Sequence, residues 1–123
     1  KYRRGMAAPL PDTRVEEAAK QGWSESWDLY ANERTWQVID TQLAIGAEVG
    51  KTPAQVALNW LLCKPAITAP ILGARSMAHL EDNLGATGWS LTHEQVSRLD
   101  EASALPLPYP YNSLAQQRAA RGR

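Results

Sequence analysis

One segment of this 123-residue chain, residues 67–72, has the length and composition of a buried β-strand. Pro70 has no backbone N–H, so we expect the strand to lie at the edge of a sheet or near its own end. A lone strand cannot satisfy the backbone groups along its edges, and the remaining signals in the chain are helical. The sequence therefore predicts a mostly α-helical fold with one short β-strand.

Capping residues show where the longer helices begin. Asn32 is expected to cap a helix that Gly50 closes, and the apolar residues of that helix recur at helical spacing: Trp36, Ile39, Leu43 and Ala47. Thr52, Pro53 and Gln55 predict the start of the next helix, with a capping box and a proline in the first turn. That helix is apolar nearly all round, which predicts burial on more than one side.

Two further helices are expected towards the C-terminus. The first runs from about Met77 to Leu84 and ends near a glycine. The second begins with a capping box formed by Thr92 and Gln95. Its apolar face is made by Val96, Leu99 and Ala102.

The two ends of the chain are predicted to be irregular, so residues 1–123 are expected to form a single domain whose ordered centre is residues 32–104; the family resemblance described below implies that this domain is partial. Residues 1–31 are expected to be a loop region with at most one short helical turn, since glycine and proline interrupt them. Within this region Trp23, Trp27 and Tyr30 would share one helix face and pack onto a core. Residues 105–123 form a Pro-rich, basic tail, expected to be extended and then frayed.

Composition excludes several classes of partner. Thirteen basic and thirteen acidic residues cancel, so no global field attracts nucleic acid or a membrane surface, and three tail arginines (Arg118, Arg121 and Arg123) are too few to change this. No apolar run is long enough to span a membrane, and we expect a cytoplasmic protein. Cys63, the one cysteine, is expected to be buried and apolar. The chain begins at Lys1 without a methionine, and we expect it to lack an upstream part.

Residue types that carry catalysis are scarce. His79 and His93 are the only histidines, and His93 belongs to a helix start where an exposed polar residue needs no functional reason. No cysteine, histidine or acidic residues have metal-ligand spacing, and no serine lies in a nucleophile elbow. The sequence therefore predicts no catalytic residue and no metal site.

Residues 73–76 have the order of parts expected of a phosphate-binding turn. The predicted strand ends at Gly73, where the missing side chain allows close approach to the backbone, and Ala74 and Arg75 follow. A helix capped by Ser76 then presents unpaired N–H groups and the positive end of its dipole. Arg75 would supply the matching charge.

The first turns of that helix extend the candidate site. His79, Asp82 and Asn83 lie on one helix face, so Arg75, His79 and Asn83 could converge on a single ligand. The oxygens of Asp82 and Asn83 suit the amino edge of an adenine. An ordinary capped surface helix accounts for the same residues, and the residues alone leave both interpretations open.

Three motifs together resemble the C-terminal part of an aldo-keto reductase: GKTPAQVALNWLL at residues 50–62, TAPILGAR at residues 68–75 and LEDNL at residues 80–84. Lys1, Tyr2 and Arg3 also resemble the end of the segment that follows the seventh barrel strand in bacterial members. The resemblance implies an incomplete (β/α)8 TIM barrel, comprising the seventh helix, the eighth strand, the eighth helix and the C-terminal tail.

The resemblance also implies a cofactor, NADP(H), and an activity, the reduction of aldehydes or ketones to alcohols. By residue-to-residue transfer, the resemblance implies that Gly73, Arg75 and Asn83 hold the adenosine 2′-phosphate end of NADPH, with Arg75 binding the phosphate and Asn83 contacting the adenine. His79 stands where arginine or glutamine is common, and Asp82 stands where glutamate is common. A protonated His79 would donate more strongly to a phosphate, so affinity is expected to rise as pH falls.

The catalytic aspartate, tyrosine, lysine and histidine of the family lie on earlier strands that these residues do not match. The chain alone is therefore expected to be inactive, and a small carbonyl substrate would bind only to the intact enzyme. The alternative is a non-catalytic helical binding module. In either case, exposed apolar helix faces would favour self-association.

Overall fold

The structure is a computed structural model that describes residues 2–24, 26–106 and 108–121, apart from the Ala115 side chain. Lys1, Arg123 and one residue of the Pro-rich tail, Leu107, lie outside the described residues. The helices of the described part are α1 (Arg14–Lys20), α2 (Trp27–Tyr30), α3 (Glu33–Val49), α4 (Pro53–Leu62), α5 (Met77–Leu84), α6 (His93–Ser103) and α7 (Tyr111–Arg121). The prediction of a mostly helical chain is confirmed.

The predicted helix starts are confirmed in detail. The Asn32 side chain accepts a hydrogen bond from the Thr35 N–H at the start of α3, and both expected capping boxes form, at Thr52 for α4 and at Thr92 for α6. Gly50 ends α3 with a φ of 65°, a left-handed conformation that residues with a side chain rarely adopt. These starts and stops are local, so the sequence alone fixes them.

The hydrophobic core lies where α3, α4 and α6 meet. Ile45, Val56, Leu91 and Leu99 are buried together. Partly buried apolar residues surround them: Val49, Trp60, Trp89 and Val96. Leu91 lies in the connection before α6, so this loop is part of the core and its position is fixed by packing.

Asn59 is the polar residue within this core, with only 3% of its surface exposed. Its Nδ2 donates to the carbonyl oxygens of Ala86 and Trp89, both at 2.9 Å, and its Oδ1 accepts from the Leu91 N–H at 3.1 Å. These bonds join α4 to the loop between α5 and α6, and they satisfy backbone groups that would otherwise be buried without partners.

The predicted strand over residues 67–72 is not found. In the described part of the chain this segment is neither helical nor paired, and the Ile71 side chain is fully exposed. A strand is stabilised by a ladder of hydrogen bonds to a neighbour, and the structure describes no second extended segment beside it. The local apolar run is therefore insufficient to form a strand here.

The two ends of the described chain contain more helix than the one short helical turn that the sequence predicts. Residues 1–31 contain α1 and α2, and α1 forms because Thr13 caps it while Val15 and Ala18 are buried. Trp23 lies outside both helices and is 53% exposed, so it does not share a helix face with Trp27. The expected frayed tail instead contains α7, whose alanine, glutamine and arginine residues have high helix propensity.

Burial of α3 and α4 is narrower than predicted. Leu43 and Ala47 of α3 are exposed, and the buried positions of that helix are Trp36, Ile45 and Gly46. In α4 only Val56 and Asn59 are buried, Leu62 is exposed, and so is Cys63 directly after the helix. The described chain covers only one side of each helix, which leaves the other apolar side open.

Candidate functional site

A cleft of about 650 Å³ lies between the open sides of α3 and α4 and the segment leading into α5. One wall is mostly apolar and includes Ile39, Leu43, Pro53, Ala54 and Ala57. The other wall contains four of the six predicted site residues: Gly73, His79, Asp82 and Asn83. The structure thus brings together most of the site that the sequence predicts.

The turn before α5 is held to the helix by two hydrogen bonds. The Ser76 Oγ accepts from the His79 N–H at 3.2 Å, which caps the helix as expected. The Asn83 Nδ2 donates to the Gly73 carbonyl oxygen at 3.4 Å. Asn83 therefore positions the turn, and it also lines the cleft.

Asp82 joins α5 to α4. Its carboxylate accepts from the Thr52 Oγ1 at 3.1 Å, and its backbone carbonyl accepts from the Gln55 Nε2 at 2.9 Å. Thr52 and Gln55 are also the residues of the α4 capping box. Part of the role of Asp82 is therefore structural, because it joins α5 to the start of α4.

Arg75 lies apart from the other predicted residues. It lines a second cavity of about 320 Å³, whose remaining lining residues are Asp12, Thr13, Arg14, Glu17 and Trp23. Ala74 is exposed and lines neither cavity. The sequence predicts that Arg75 converges with His79 and Asn83, and the structure does not place these three side chains around one space.

Tyr2 and Arg3 also line the main cleft, and sequence reasoning did not select them as site residues. They are about 70 positions from Gly73 along the chain, so no spacing pattern could link them to it. Their position results from contacts of the N-terminal segment. The Tyr2 ring lies 5.8 Å from the Trp27 ring, which in turn lies 6.0 Å from the Trp36 ring.

The same aromatic residues line a third cavity of about 330 Å³ beside α1, α2 and α3, together with Arg14, Val15, Tyr30 and Thr35. Among the residues the structure describes, no group of three or more histidine, cysteine or acidic side chains could hold a metal ion. No helix of that part of the chain is both long and apolar enough to cross a membrane.

Residues 6–104 match the profile of the aldo/keto reductase family. This span includes both walls of the cleft from Ile39 to Asn83 and extends through α6. The chain belongs to the aldo/keto reductase family, and the resemblance seen in its motifs is confirmed.

Individual relatives match shorter stretches. Over 59 residues the chain is 49% identical to the chloroplastic pyridoxal reductase of Arabidopsis thaliana. This match covers 48% of this chain and 16% of that protein. Over 98 residues it is 31% identical to the aldo-keto reductase ausK of Aspergillus calidoustus, and this match covers 76% of this chain and 25% of that protein. Over 59 residues it is 42% identical to the pyridoxine 4-dehydrogenase of Escherichia coli (strain K12), and this match covers 48% of this chain and 21% of that protein. The chain thus spans a quarter or less of the length of each of these relatives.

Proposed function

We propose that this chain is the C-terminal NADP(H)-binding segment of an aldo-keto reductase, an oxidoreductase that reduces aldehydes or ketones to alcohols. The observation that carries the proposal is the cleft, where Gly73, His79, Asp82 and Asn83 meet within the span that matches the family. In the intact enzyme, residues 67–72 would pair with a neighbouring strand as the eighth strand of the barrel, which explains why this apolar segment lacks a partner here.

The cleft residues fit the adenosine end of the cofactor. Gly73 has open space where a side chain would be, so a ligand can approach the backbone closely. His79 and the N-terminal end of α5 present donors to a phosphate. The side-chain oxygen of Asn83 can accept a hydrogen bond from the adenine amino group. The apolar wall can cover one face of the base.

When bound in the intact enzyme, NADPH would supply a hydride to the carbonyl carbon while a protein acid supplies a proton to the oxygen. The residues of this chain would bind and orient the cofactor, and the acid would come from the barrel strands that the 123 residues do not match. We therefore expect the chain alone to reduce no carbonyl compound. Pyridoxal is a suitable first substrate for the intact enzyme, because two of the relatives are named for vitamin B6 compounds.

Titration of the 123-residue protein with NADPH, followed by nucleotide fluorescence, tests the proposal. We expect saturable binding that Asn83→Ala weakens, since this substitution removes both the adenine acceptor and the bond to Gly73. Gln37→Ala is the matched control, because it removes an amide from an exposed position of α3 outside the cleft lining. The same samples should oxidise no NADPH when pyridoxal is added.

Absence of saturable NADPH binding to the folded protein would contradict the proposed cofactor role. Carbonyl reduction by the purified chain, at a rate that persists after removal of any full-length reductase, would contradict its expected inactivity. Equal weakening by Asn83→Ala and Gln37→Ala would show that binding does not occur in the cleft.

The alternative function is that of a non-catalytic interaction module, and the open apolar sides favour it. Ile71 is fully exposed, and further large apolar side chains near the cleft are at least half exposed, namely Met77 and Leu84. Such a surface promotes association with a second copy or with a partner. Association without nucleotide binding would support this alternative.

A further inference from the structure

We propose that Gln55 is a positioning residue for nucleotide binding: its side-chain amide holds α5, the helix that carries His79 and Asn83, at the start of α4. The inference rests on the proposed function and adds to it a residue outside the cleft lining. It follows from the hydrogen bonds of one side chain, from the space that a glycine leaves for it, and from the exposure of α5.

The Gln55 side chain joins the start of α4 to the end of α5 through both ends of its amide. Its Oε1 accepts from the Thr52 N–H at 3.1 Å, and its Nε2 donates to the Asp82 carbonyl oxygen at 2.9 Å. Because one partner is a donor and the other an acceptor, the amide satisfies both in only one orientation. The Thr52 Oγ1 also donates to the Asp82 carboxylate at 3.1 Å, so three residues connect the two helices.

The carbonyl group that Gln55 reaches lies in the last turn of α5, where a helix leaves its carbonyl oxygens without intrahelical donors. Three carbonyls of this turn accept from backbone N–H groups that follow the helix, at 3.0 to 3.1 Å, namely those of Glu81, Asn83 and Leu84. The Gln55 amide supplies a donor to the fourth, that of Asp82. A residue of α4 therefore completes the capping of α5.

Gly85, which directly follows α5, leaves the space that this amide occupies. A Cβ atom at this position would come closer than 3.0 Å to the Gln55 Nε2 and would lie 3.2 Å from the Asp82 carbonyl oxygen. The φ of Gly85 is −62°, a value that other residues also adopt, so its backbone conformation does not require glycine. The nearest obstacle to a side chain at this position is therefore the Gln55 amide.

Helix α5 depends on such bonds because core packing does not hold it. The structure describes all of its residues, and none of these is buried. The helix therefore relies on polar bonds to its neighbours, and those from α4 and its cap come from Gln55 and Thr52. His79 and Asn83 lie on the same helix and line the cleft. A shift of α5 would displace both from a bound nucleotide, and small displacements of binding groups cost affinity.

The test compares NADPH titrations, followed by nucleotide fluorescence, of the 123-residue protein, of Gln55→Ala, of Gly85→Ala and of the double variant. We expect Gln55→Ala to weaken NADPH binding about fivefold, the effect of losing one hydrogen bond that holds the site. Gly85→Ala should weaken binding to a similar extent without changing any charge, because its Cβ displaces the same amide. In the Gln55→Ala background the obstacle is gone, so Gly85→Ala should have little further effect.

Gln95→Ala is the matched control. Gln95 forms the equivalent capping box with Thr92 at the start of α6, and its Nε2 likewise bonds to a neighbouring helix, at Glu48 of α3. This variant removes the same groups but leaves the bonds to α5 intact, so its NADPH affinity should stay within about twofold of the parent value. Circular dichroism checks that each variant is folded. Should Gln55→Ala not fold, the comparison of Gly85→Ala with Gln95→Ala decides the same question.

The possible failures are distinguishable. Unchanged NADPH affinity in folded Gln55→Ala and Gly85→Ala would overturn the inference and leave the proposed function standing. Equal weakening by Gln55→Ala and Gln95→Ala would overturn it as well, because the loss would then follow stability and not the position of α5. Full additivity in the double variant would show that Gly85 does not act through the Gln55 amide, which contradicts the inference. If the parent protein binds no NADPH, both the inference and the proposed cofactor role fail.

Discussion

Asn59 connects two elements that the chain separates by 27 to 32 residues. Its side chain satisfies two buried carbonyl groups and one N–H in the loop between α5 and α6. That loop carries Leu91 into the core and follows α5, which forms one wall of the cleft. The amide of one residue thus supports both the packing and the site.

We expect Asn59→Ala to lower the free energy of unfolding by about 3 kcal/mol, because it leaves buried backbone groups without partners and opens a cavity. Urea denaturation followed by circular dichroism measures the change. Asn112→Ala is the control, since Asn112 is exposed on α7 and should change stability little. A loss below about 0.5 kcal/mol for Asn59→Ala would contradict the proposed role of the amide.

Sequence reasoning did not identify Asn59, although it lies in one of the recognised motifs. A single asparagine in an apolar helix has no spacing signature, since its partners are backbone groups of a distant loop. For the same reason the sequence located Gly73, His79, Asp82 and Asn83 together but could not find Arg3. The four share one local stretch of chain, whereas Arg3 reaches the cleft through ion pairs made by Arg4.

At the scale of elements, α3 and α6 are joined by charged and polar side chains at the edge of the core. Glu48 of α3 accepts from Arg98 at 2.7 Å and from the Gln95 side chain at 3.0 Å. The Arg98 hydrogen bond, followed by that of Gln95, lowers the pKa of Glu48 below its ordinary value of 4.5. In the same way, hydrogen bonds from Lys64 and then Trp60 lower the pKa of Asp100 and join α4 to α6.

These lowered pKa values predict acid sensitivity. A carboxylate with a lower pKa in the folded state contributes stability that is present above its unfolded pKa and is lost as pH falls through the folded value. For Glu48 this loss begins near pH 4.5 and continues below it. The side chains of Glu48 and Arg98 are both substantially exposed to solvent, so we expect only a small change in the free energy of unfolding.

The test compares urea denaturation of the parent protein and of Arg98→Met between pH 6 and pH 3. Without its main partner, the pKa of Glu48 should move back towards its ordinary value, and the stability of Arg98→Met should fall less steeply below pH 4.5. Arg118→Met, on α7, provides the control for loss of a positive charge. Identical pH profiles for the parent and Arg98→Met would contradict this account.

The helices themselves were largely predictable because their start signals are local. Asn32, Thr52, Ser76 and Thr92 each cap the expected helix with a bond to a backbone N–H three residues away. The absence of a strand over residues 67–72 could not be predicted from local signals, because a strand depends on a partner that the described chain does not provide. Helices α1 and α7 were missed because their apolar periodicity is weak.

At the scale of the whole molecule, exposed apolar surface is expected to lower solubility. This surface comprises the open sides of α3 and α4 and the exposed segment before α5. Ile71 is fully exposed in a segment that forms neither helix nor strand in the described chain. We expect the 123-residue protein to self-associate through this surface, with a fraction of oligomer that rises with concentration. Sedimentation velocity over a range of concentrations measures it.

Ile71→Lys should shift the distribution towards monomer, because it places a charge on the exposed segment where a second copy would pack. Leu114→Lys is the control, since Leu114 is a half-exposed leucine on α7, away from this surface. If the parent protein is monomeric at all concentrations, or if Leu114→Lys has the larger effect, the proposed association surface is wrong.

The sequence by itself determined the family and the four main helices with their caps, since these depend on residues close together in the chain. Only the tertiary structure decided which side of each helix is buried, that Asn59 lies in the core, and that Arg3 rather than Arg75 lines the cleft. These outcomes depend on contacts between distant segments. Local signals specify where a helix starts, but the neighbours available to cover it decide what it buries.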